Sequence, residues 1–224
     1  MKKMKSILIS SALIMSTISC VKANDIDTVV NITGASNYLV RGLTQTNDKA
    51  ALFLEGTVLY NGFFTGIWTS NIEFEGADGD REIDLYAGYS KDFFGFQTTL
   101  TYTRFLYPDS KDIANLDEAE LKIVYPIDKF SIGGKYILGT YVENDGEKLD
   151  YYEGFTSYDF DIITLNGSAG SFEDMGDNFV VGISKAFDLS KGSLNLELLY
   201  SEFYSDDSSS LDQDNLYAKI TYSF

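Results

Sequence analysis

The chain has 224 residues, with 17 basic and 34 acidic side chains and a net charge of −17. So large an acidic surplus argues against a nucleic-acid partner, because phosphate binding rests on Lys and Arg. The sequence contains no histidine and one cysteine, Cys20. A Ser-His nucleophile, a histidine-bound metal and an internal disulfide are therefore all excluded.

At the start of the chain, Lys2, Lys3 and Lys5 precede an apolar run from Ile7 to Ile18, and Val21-Lys22-Ala23 follows. This pattern predicts a signal peptide over residues 1–23, with the mature protein beginning at Asn24. The apolar run is too short to span a bilayer as a helix. A lipid-anchor signal wants a Leu-like residue three places before its cysteine, and Thr17 stands there instead. Without residues 1–23, 201 residues remain, with no cysteine and with 13 basic against 34 acidic side chains, near −21.

Sixteen Tyr, sixteen Phe and nineteen Gly against two Pro make an all-β profile. After residue 23 no apolar stretch reaches helix-spanning length, so a membrane location requires a closed barrel. Breaks at Gly, Asn and Asp clusters divide residues 24–224 into twelve strands near 28–42, 50–60, 63–75, 82–90, 93–107, 116–125, 130–141, 149–159, 161–171, 178–186, 193–203 and 214–224. Many of these meet the about 9–11 residues a tilted strand needs to cross the hydrocarbon layer. The expected fold is an all-β transmembrane antiparallel up-and-down β-barrel of 12 strands.

The connections alternate in kind. Tight links are expected at Asn61-Gly62, Lys91-Asp92, Pro126 to Lys129, Asp159 to Asp161 and Phe187 to Gly192. Longer polar ones fall at Thr44 to Lys49, Gly76 to Arg81, Pro108 to Asn115, Val142 to Lys148, Phe172 to Asp177 and Tyr204 to Gln213. Short turns at one end and long loops at the other is the outer-membrane pattern.

Within strands, one phase is apolar: Phe64, Gly66, Trp68, Ser70, Ile72 and Phe74; Ile83, Leu85, Ala87 and Tyr89; Ala119, Leu121, Ile123 and Tyr125; Leu194, Leu196, Leu198 and Tyr200. This phase is expected to face lipid, with aromatics such as Tyr60, Phe63, Tyr89, Phe93, Tyr125 and Phe187 as interfacial girdles. A soluble sandwich or lipocalin-like barrel, with the same phase facing a packed core, is the competing reading. The final strand alternates to an aromatic end, and Tyr222 and Phe224 are the expected assembly signal.

The opposite phase supplies the lumen or ion-pair candidates Arg41, Glu55, Glu73, Glu82, Asp84, Glu118, Glu120, Lys122, Lys135, Glu197 and Lys219. Their acidic surplus points to cation preference, and pairing across adjacent strands is the structural alternative. Acids including Glu75, Asp78, Asp80, Asp109, Asp112, Glu143, Asp145, Glu147, Glu173, Asp174, Asp177, Asp206, Asp207, Asp212 and Asp214 crowd the long loops. None has calcium-loop spacing, and solvated acids keeping the rim soluble is the simpler account. No nucleophile-base pair or phosphate-binding glycine pattern occurs, so no enzyme, metal or cofactor is expected.

Ser36-Asn37-Tyr38-Leu39-Val40-Arg41-Gly42-Leu43-Thr44-Gln45-Thr46 resembles the opening motif of the TorF-like porin family (Gcw_chp), proteobacterial conserved proteins of uncharacterised function. The likeness continues through Glu55-Gly56, Tyr60, Gly62 to Asn71, Glu82 to Tyr89, Tyr107-Pro108 and Glu118. The resemblance implies an outer-membrane barrel of Gram-negative bacteria and supplies no catalytic set. It departs from the family pattern at Asn47-Asp48-Lys49-Ala50, where a Pro commonly follows the Gln-Thr segment. The family motif centres on Arg-Gly, which marks Arg41, expected to pair with Glu55 or Asp84 in the room left by Gly42. The expected function is a channel for passive diffusion of small hydrophilic solutes with mild cation preference. The alternative is a non-conducting structural or surface-interaction barrel acting through acidic loops. Outer-membrane lipids and the barrel assembly machinery are the expected partners.

Overall fold

The computed structural model describes residues 26–74, 78–111, 113–141, 148–173, 175–206 and 212–224. The expected signal peptide and the loop acids Glu75, Asp112, Glu143, Asp145, Glu147, Asp174 and Asp207 lie outside the described residues. The rest forms an all-β antiparallel barrel of twelve strands: β1 (Asp27–Ala35), β4 (Ala51–Tyr60), β5 (Phe63–Asn71), β6 (Arg81–Phe93), β7 (Phe96–Leu106), β8 (Leu116–Ile127), β9 (Phe130–Tyr141), β10 (Tyr151–Asp159), β11 (Thr164–Phe172), β12 (Gly176–Asp188), β13 (Ser193–Ser205) and β14 (Gln213–Ser223). Each strand pairs with its neighbour in sequence, and β1 closes the ring by pairing with β14. The seam runs from Asn31 opposite Ser223 to Ala35 opposite Lys219, and Phe224 extends it through backbone bonds in both directions with Val30, at 2.9 and 3.0 Å. Among the described residues the barrel sheet has no free edge, which answers the edge problem of a long antiparallel sheet.

Two further strands, β2 (Leu39–Val40) and β3 (Leu43–Thr44), form a separate two-stranded hairpin. The expected first strand over 28–42 is therefore corrected: it ends at Ala35, and the chain turns inward. Several turns also shift. Lys91 and Asp92 lie inside β6, and the reversal falls at Phe94 (φ 52°) and Gly95 (φ 88°), with Phe93 opposite Phe96. Both positive angles match the twist of a two-residue hairpin turn, as they do at Asn61 (φ 51°) and Gly62 (φ 84°). Pro126 sits within β8, and the β8–β9 turn narrows to residues 128–129. The β10–β11 and β12–β13 links fall at 160–163 and 189–192. At the opposite end the β11–β12 link is only residues 173–175, shorter than its sequence suggests.

Outward positions are apolar: Leu100 is 58% exposed and Leu216 70%, with Leu52, Leu85, Ile132, Leu138 and Ile220 in the same belt. On β6, β8 and β13 the outward set is the expected one. On β5 the phase is inverted. Phe64, Trp68 and, just past the strand, Ile72 are buried inside, while Phe63, Thr65, Ile67 and Asn71 are exposed. The reason is an interior apolar cluster: Trp68 and Phe53 pack around Tyr38, with ring centroids 5.1–5.4 Å apart. The oily side chains of β5 are thus claimed by a segment of the chain that lies inside the barrel.

Candidate functional site

That segment is residues 36–49. Its two short strands are joined by Arg41 (φ 51°) and Gly42 (φ 90°), with Val40 opposite Leu43. A two-residue turn of this kind needs positive φ at both central positions, which Asn-Gly or Asp-Gly supplies cheaply. Arginine in the left-handed region costs on the order of 1 kcal/mol, so its presence there signals that something else holds it. Gly42 is required twice over, by its φ and by space: a Cβ there would meet Phe203 Cβ at 3.0 Å and Asn178 Cβ at 3.1 Å. The hairpin tip therefore rests against the inner wall made by β12 and β13.

The base of the hairpin is tied by its own polar residues. Gln45 N donates to Tyr38 O at 2.7 Å, Thr44 Oγ1 to Asn37 Oδ1 at 2.8 Å, and Asn37 Nδ2 to Asp48 Oδ1 at 2.8 Å. Thr44 N donates to Gln213 Oε1 of β14 at 3.0 Å. Asn47 (φ 50°) and Asp48 (φ 60°) then reverse the chain into β4. Proline cannot adopt such angles, so neither position could carry one in this turn.

Each hairpin side chain reaches a different wall. Leu39 packs with Leu199 and Tyr217, and Leu43 with the cluster of Ile137, Tyr151, Phe172 and Phe203. Tyr38 Oη donates to Glu82 Oε1 at 2.8 Å. Arg41 is 7% exposed, and its Nη2 lies 2.6 Å from Glu118 Oε2 on β8. Its guanidinium also sits 4.7 Å from the ring centre of Tyr151 and 5.1 Å from that of Phe172. The expected pairing with Glu55 or Asp84 is thus corrected. The hairpin carries Arg41 across to β8, while Glu55 accepts instead from Asn31 Nδ2 at 2.6 Å and Tyr86 Oη at 2.7 Å.

The other candidates fall as follows. Glu82 and Asp84 on β6, Glu118, Glu120 and Lys122 on β8, and Lys135 on β9 turn inward. Glu197 and Lys219 also turn inward and form an ion pair of 3.0 Å between β13 and β14. Lys135 pairs with Glu153 at 3.6 Å. Glu73 does not belong to this set: it lies beyond β5, is exposed, and bonds Lys49 at 2.5 Å at the rim. Sequence reasoning passed over Glu153, although its place two residues from Tyr151 and Phe155 in a period-two strand gives the same inward phase. Tyr222 bonds Lys191 O at 2.6 Å and stacks on Phe224 at the short-turn end.

Between the hairpin and the long connections lies a cavity of about 540 Å³. Arg41, Glu82 and Glu118 reach it from the hairpin and barrel wall, and Phe74, Tyr107 and Leu149 from the connections. Two of those connections interlock at the rim through Arg81 with Asp109 at 2.5 Å and Ser110 Oγ with Asp78 at 2.9 Å. Among the described residues no group of three acidic, His or Cys side chains is placed to hold a metal ion.

The family described as "Bacterial protein of unknown function (Gcw_chp)" matches residues 22–170. The chain belongs to the Gcw_chp family. In this Gcw_chp protein the match takes in the hairpin, Glu118 and Glu153, and stops short of β12, β13 and β14. No curated protein matches. Solved structures similar in fold include the NanC porin, with a TM-score of 0.56, 8% identity, and 87% of this chain covering 98% of that one. The KdgM porin matches with a TM-score of 0.56 at 11% identity, over 88% of this chain and 99% of that one. An outer membrane channel from Pseudomonas putida F1 matches at 0.54 and 11% identity, over 94% and 98%. At these identities the likeness is one of fold.

Proposed function

We propose that this Gcw_chp protein is an outer-membrane channel of a Gram-negative bacterium, exported by a signal peptide over residues 1–23, through which small hydrophilic solutes diffuse with mild cation preference. The observation that carries the reading is the two-faced closed barrel, apolar outside and charged inside, the one sheet architecture that satisfies its backbone within lipid. Porin structures of the same fold support it. For selectivity, the described inward side chains are the acids Glu55, Glu82, Asp84, Glu118, Glu120, Glu153 and Glu197 against the bases Arg41, Lys122, Lys135 and Lys219. A lumen with this surplus concentrates cations over anions.

The 36–49 hairpin lies across the lumen and sets its narrowest part. Refolded protein in planar bilayers tests the function: the expected result is unitary steps whose reversal potential in a salt gradient shifts toward the cation side. A second reading, a non-conducting structural barrel, draws on one observation, the burial of Tyr38, Leu39 and Arg41 to 7% exposure or less between opposite walls. A folded barrel that passes no current in any salt supports that reading and overturns the channel.

A further inference from the structure

Most charges on the inner wall are already answered. Arg41 meets Glu118, Lys135 meets Glu153 and Lys219 meets Glu197. Glu55 and Glu82 accept from the hydroxyls of Tyr86 and Tyr38, and Asp84 is sealed from solvent. Glu120 and Lys122 differ from all of these. Both point inward from the middle of β8 and both are partly open to solvent; among the described residues neither makes an ion pair or a side-chain hydrogen bond. They stand two residues apart, roughly 7 Å along the strand, and the next inward position toward the long loops is Glu118, the anchor of the hairpin. A solute moving from the hairpin toward the short turns therefore meets an open acid and then an open base.

The setting of Lys122 asks for an anion. It lies directly opposite Lys135 on β9, and like charges so placed repel. The carboxylate nearest that pair of lysines in the cross-strand row, Glu153, sits 3.6 Å from Lys135 and takes the Tyr151 hydroxyl on its other oxygen. Lys122 is left with the ring of Phe155, 5.4 Å from its ammonium, which positions the group without neutralising it. On the other flank the row continues through Thr99 of β7 and Ser90 of β6, whose hydroxyls are 3.0 Å apart. An ammonium beside hydroxyls is a donor set that receives a carboxylate. Glu120 is the complement, an acceptor whose natural partner is an ammonium. An anion drawn to Lys122 is repelled by Glu120, and a cation drawn to Glu120 is repelled by Lys122. A molecule carrying both charges gains from each.

We propose that Glu120 and Lys122 form a dipolar station beside the hairpin for small zwitterions, solutes of the amino-acid class that carry one ammonium and one carboxylate. The ammonium lies toward Glu120 and the hairpin, and the carboxylate toward Lys122, Thr99 and the short turns. The assignment names a solute class for the channel proposed above and takes its role in permeation from that reading. A net-neutral solute leaves the acidic surplus of the lumen, and the cation preference drawn from it, unchanged.

Saturation-transfer NMR observed on the ligand reads binding whether or not the barrel conducts. The full mature barrel, refolded in detergent at neutral pH, is titrated with γ-aminobutyrate, butyrate and butylammonium, with empty micelles as the blank. The expected result is a saturable signal for γ-aminobutyrate, with butyrate and butylammonium each bound roughly tenfold more weakly. Glu120→Gln is expected to abolish the preference over butyrate, and Lys122→Met the preference over butylammonium. Glu197→Gln, whose carboxylate pairs with Lys219, is expected to keep both preferences. No saturation in the wild type, either singly charged solute bound as tightly as γ-aminobutyrate, or an unchanged preference in a folded Glu120 or Lys122 variant overturns the assignment. The wild-type comparison decides by itself where a variant does not fold. Saturable binding without bilayer conductance keeps the station and removes the channel; conductance without saturable binding keeps the channel and removes the station.

Discussion

Arg41 at the tip of the inner hairpin and Glu118 on β8 are separated by 77 residues in sequence and by 2.6 Å in space, both side chains sealed from solvent. The pair joins the segment that crosses the lumen to the wall it crosses toward. Because charges taken out of water depend on each other, losing one partner costs more than losing both. We expect Arg41→Met to destabilise the refolded barrel by about 3–5 kcal/mol in chemical unfolding. The double variant Arg41→Met with Glu118→Leu is expected to recover a large part of that loss. Additive losses in the double-mutant cycle contradict a coupled buried pair.

Trp68 gives a direct reading of which face of β5 meets lipid. Its side chain is buried beside Tyr38, while Ile67 next to it is exposed on the outer face. In bilayers of lipids brominated on their acyl chains, we expect Trp68 fluorescence to be quenched little. Moving the probe by one residue, with Trp68→Phe and Ile67→Trp, is expected to bring strong quenching. The reverse order shows that the strand has the opposite phase.

At the rim, Lys49 holds the Glu73 carboxyl below its ordinary value by hydrogen bonding to the charged form. The folded value being the lower one, the pair's small stabilisation is present above the ordinary glutamate range and is lost as pH falls through the lowered value. Both groups are exposed, so solvent screens the pair and the unfolding midpoint is expected not to move measurably in Lys49→Met. The side-chain NMR titration of Glu73 is expected to return to its ordinary value in that variant. An unchanged titration shows that Lys49 is not the cause.

Phe224 closes the barrel through its backbone as well as ending it. Deleting it removes both bonds to Val30, on the order of 1–3 kcal/mol together, at the seam between the first and last strands. A lower yield of heat-modifiable barrel is expected on refolding, with assembly affected more than the stability of barrels once formed. Full assembly of the shortened chain contradicts a role for this residue in closure.

Much of the wall was legible from period two, because β6, β8 and β13 each place acids or small polar residues on one face and aliphatics on the other. β5 was not legible, since both of its faces are apolar: Phe63 and Ile67 look outward, and Phe64 and Trp68 look inward. Choosing between them requires knowing that Tyr38 waits inside. The hairpin was hidden for a related reason. Tyr38, Leu39, Val40 and Leu43 continue the apolar run of β1, and only Arg41-Gly42 marks the reversal. Arginine is an unusual first residue for such a turn, and its strain is balanced by Glu118, a partner no local pattern reveals. Glu73 shares in the inversion of β5: it continues the Thr65 to Asn71 phase, which on β5 faces outward, and it lies beyond the end of the strand.

The claim that the 36–49 hairpin limits a conducting lumen is tested most directly by single-channel recording of two barrels, the wild type and one in which residues 37–48 are replaced by a short Gly-Ser link. We expect the wild type to conduct in small steps and the shortened barrel to conduct in larger ones, with stronger cation preference because Arg41 is gone while the inward acids remain. Equal conductance and equal selectivity in the two, or no current through either folded barrel, contradicts it.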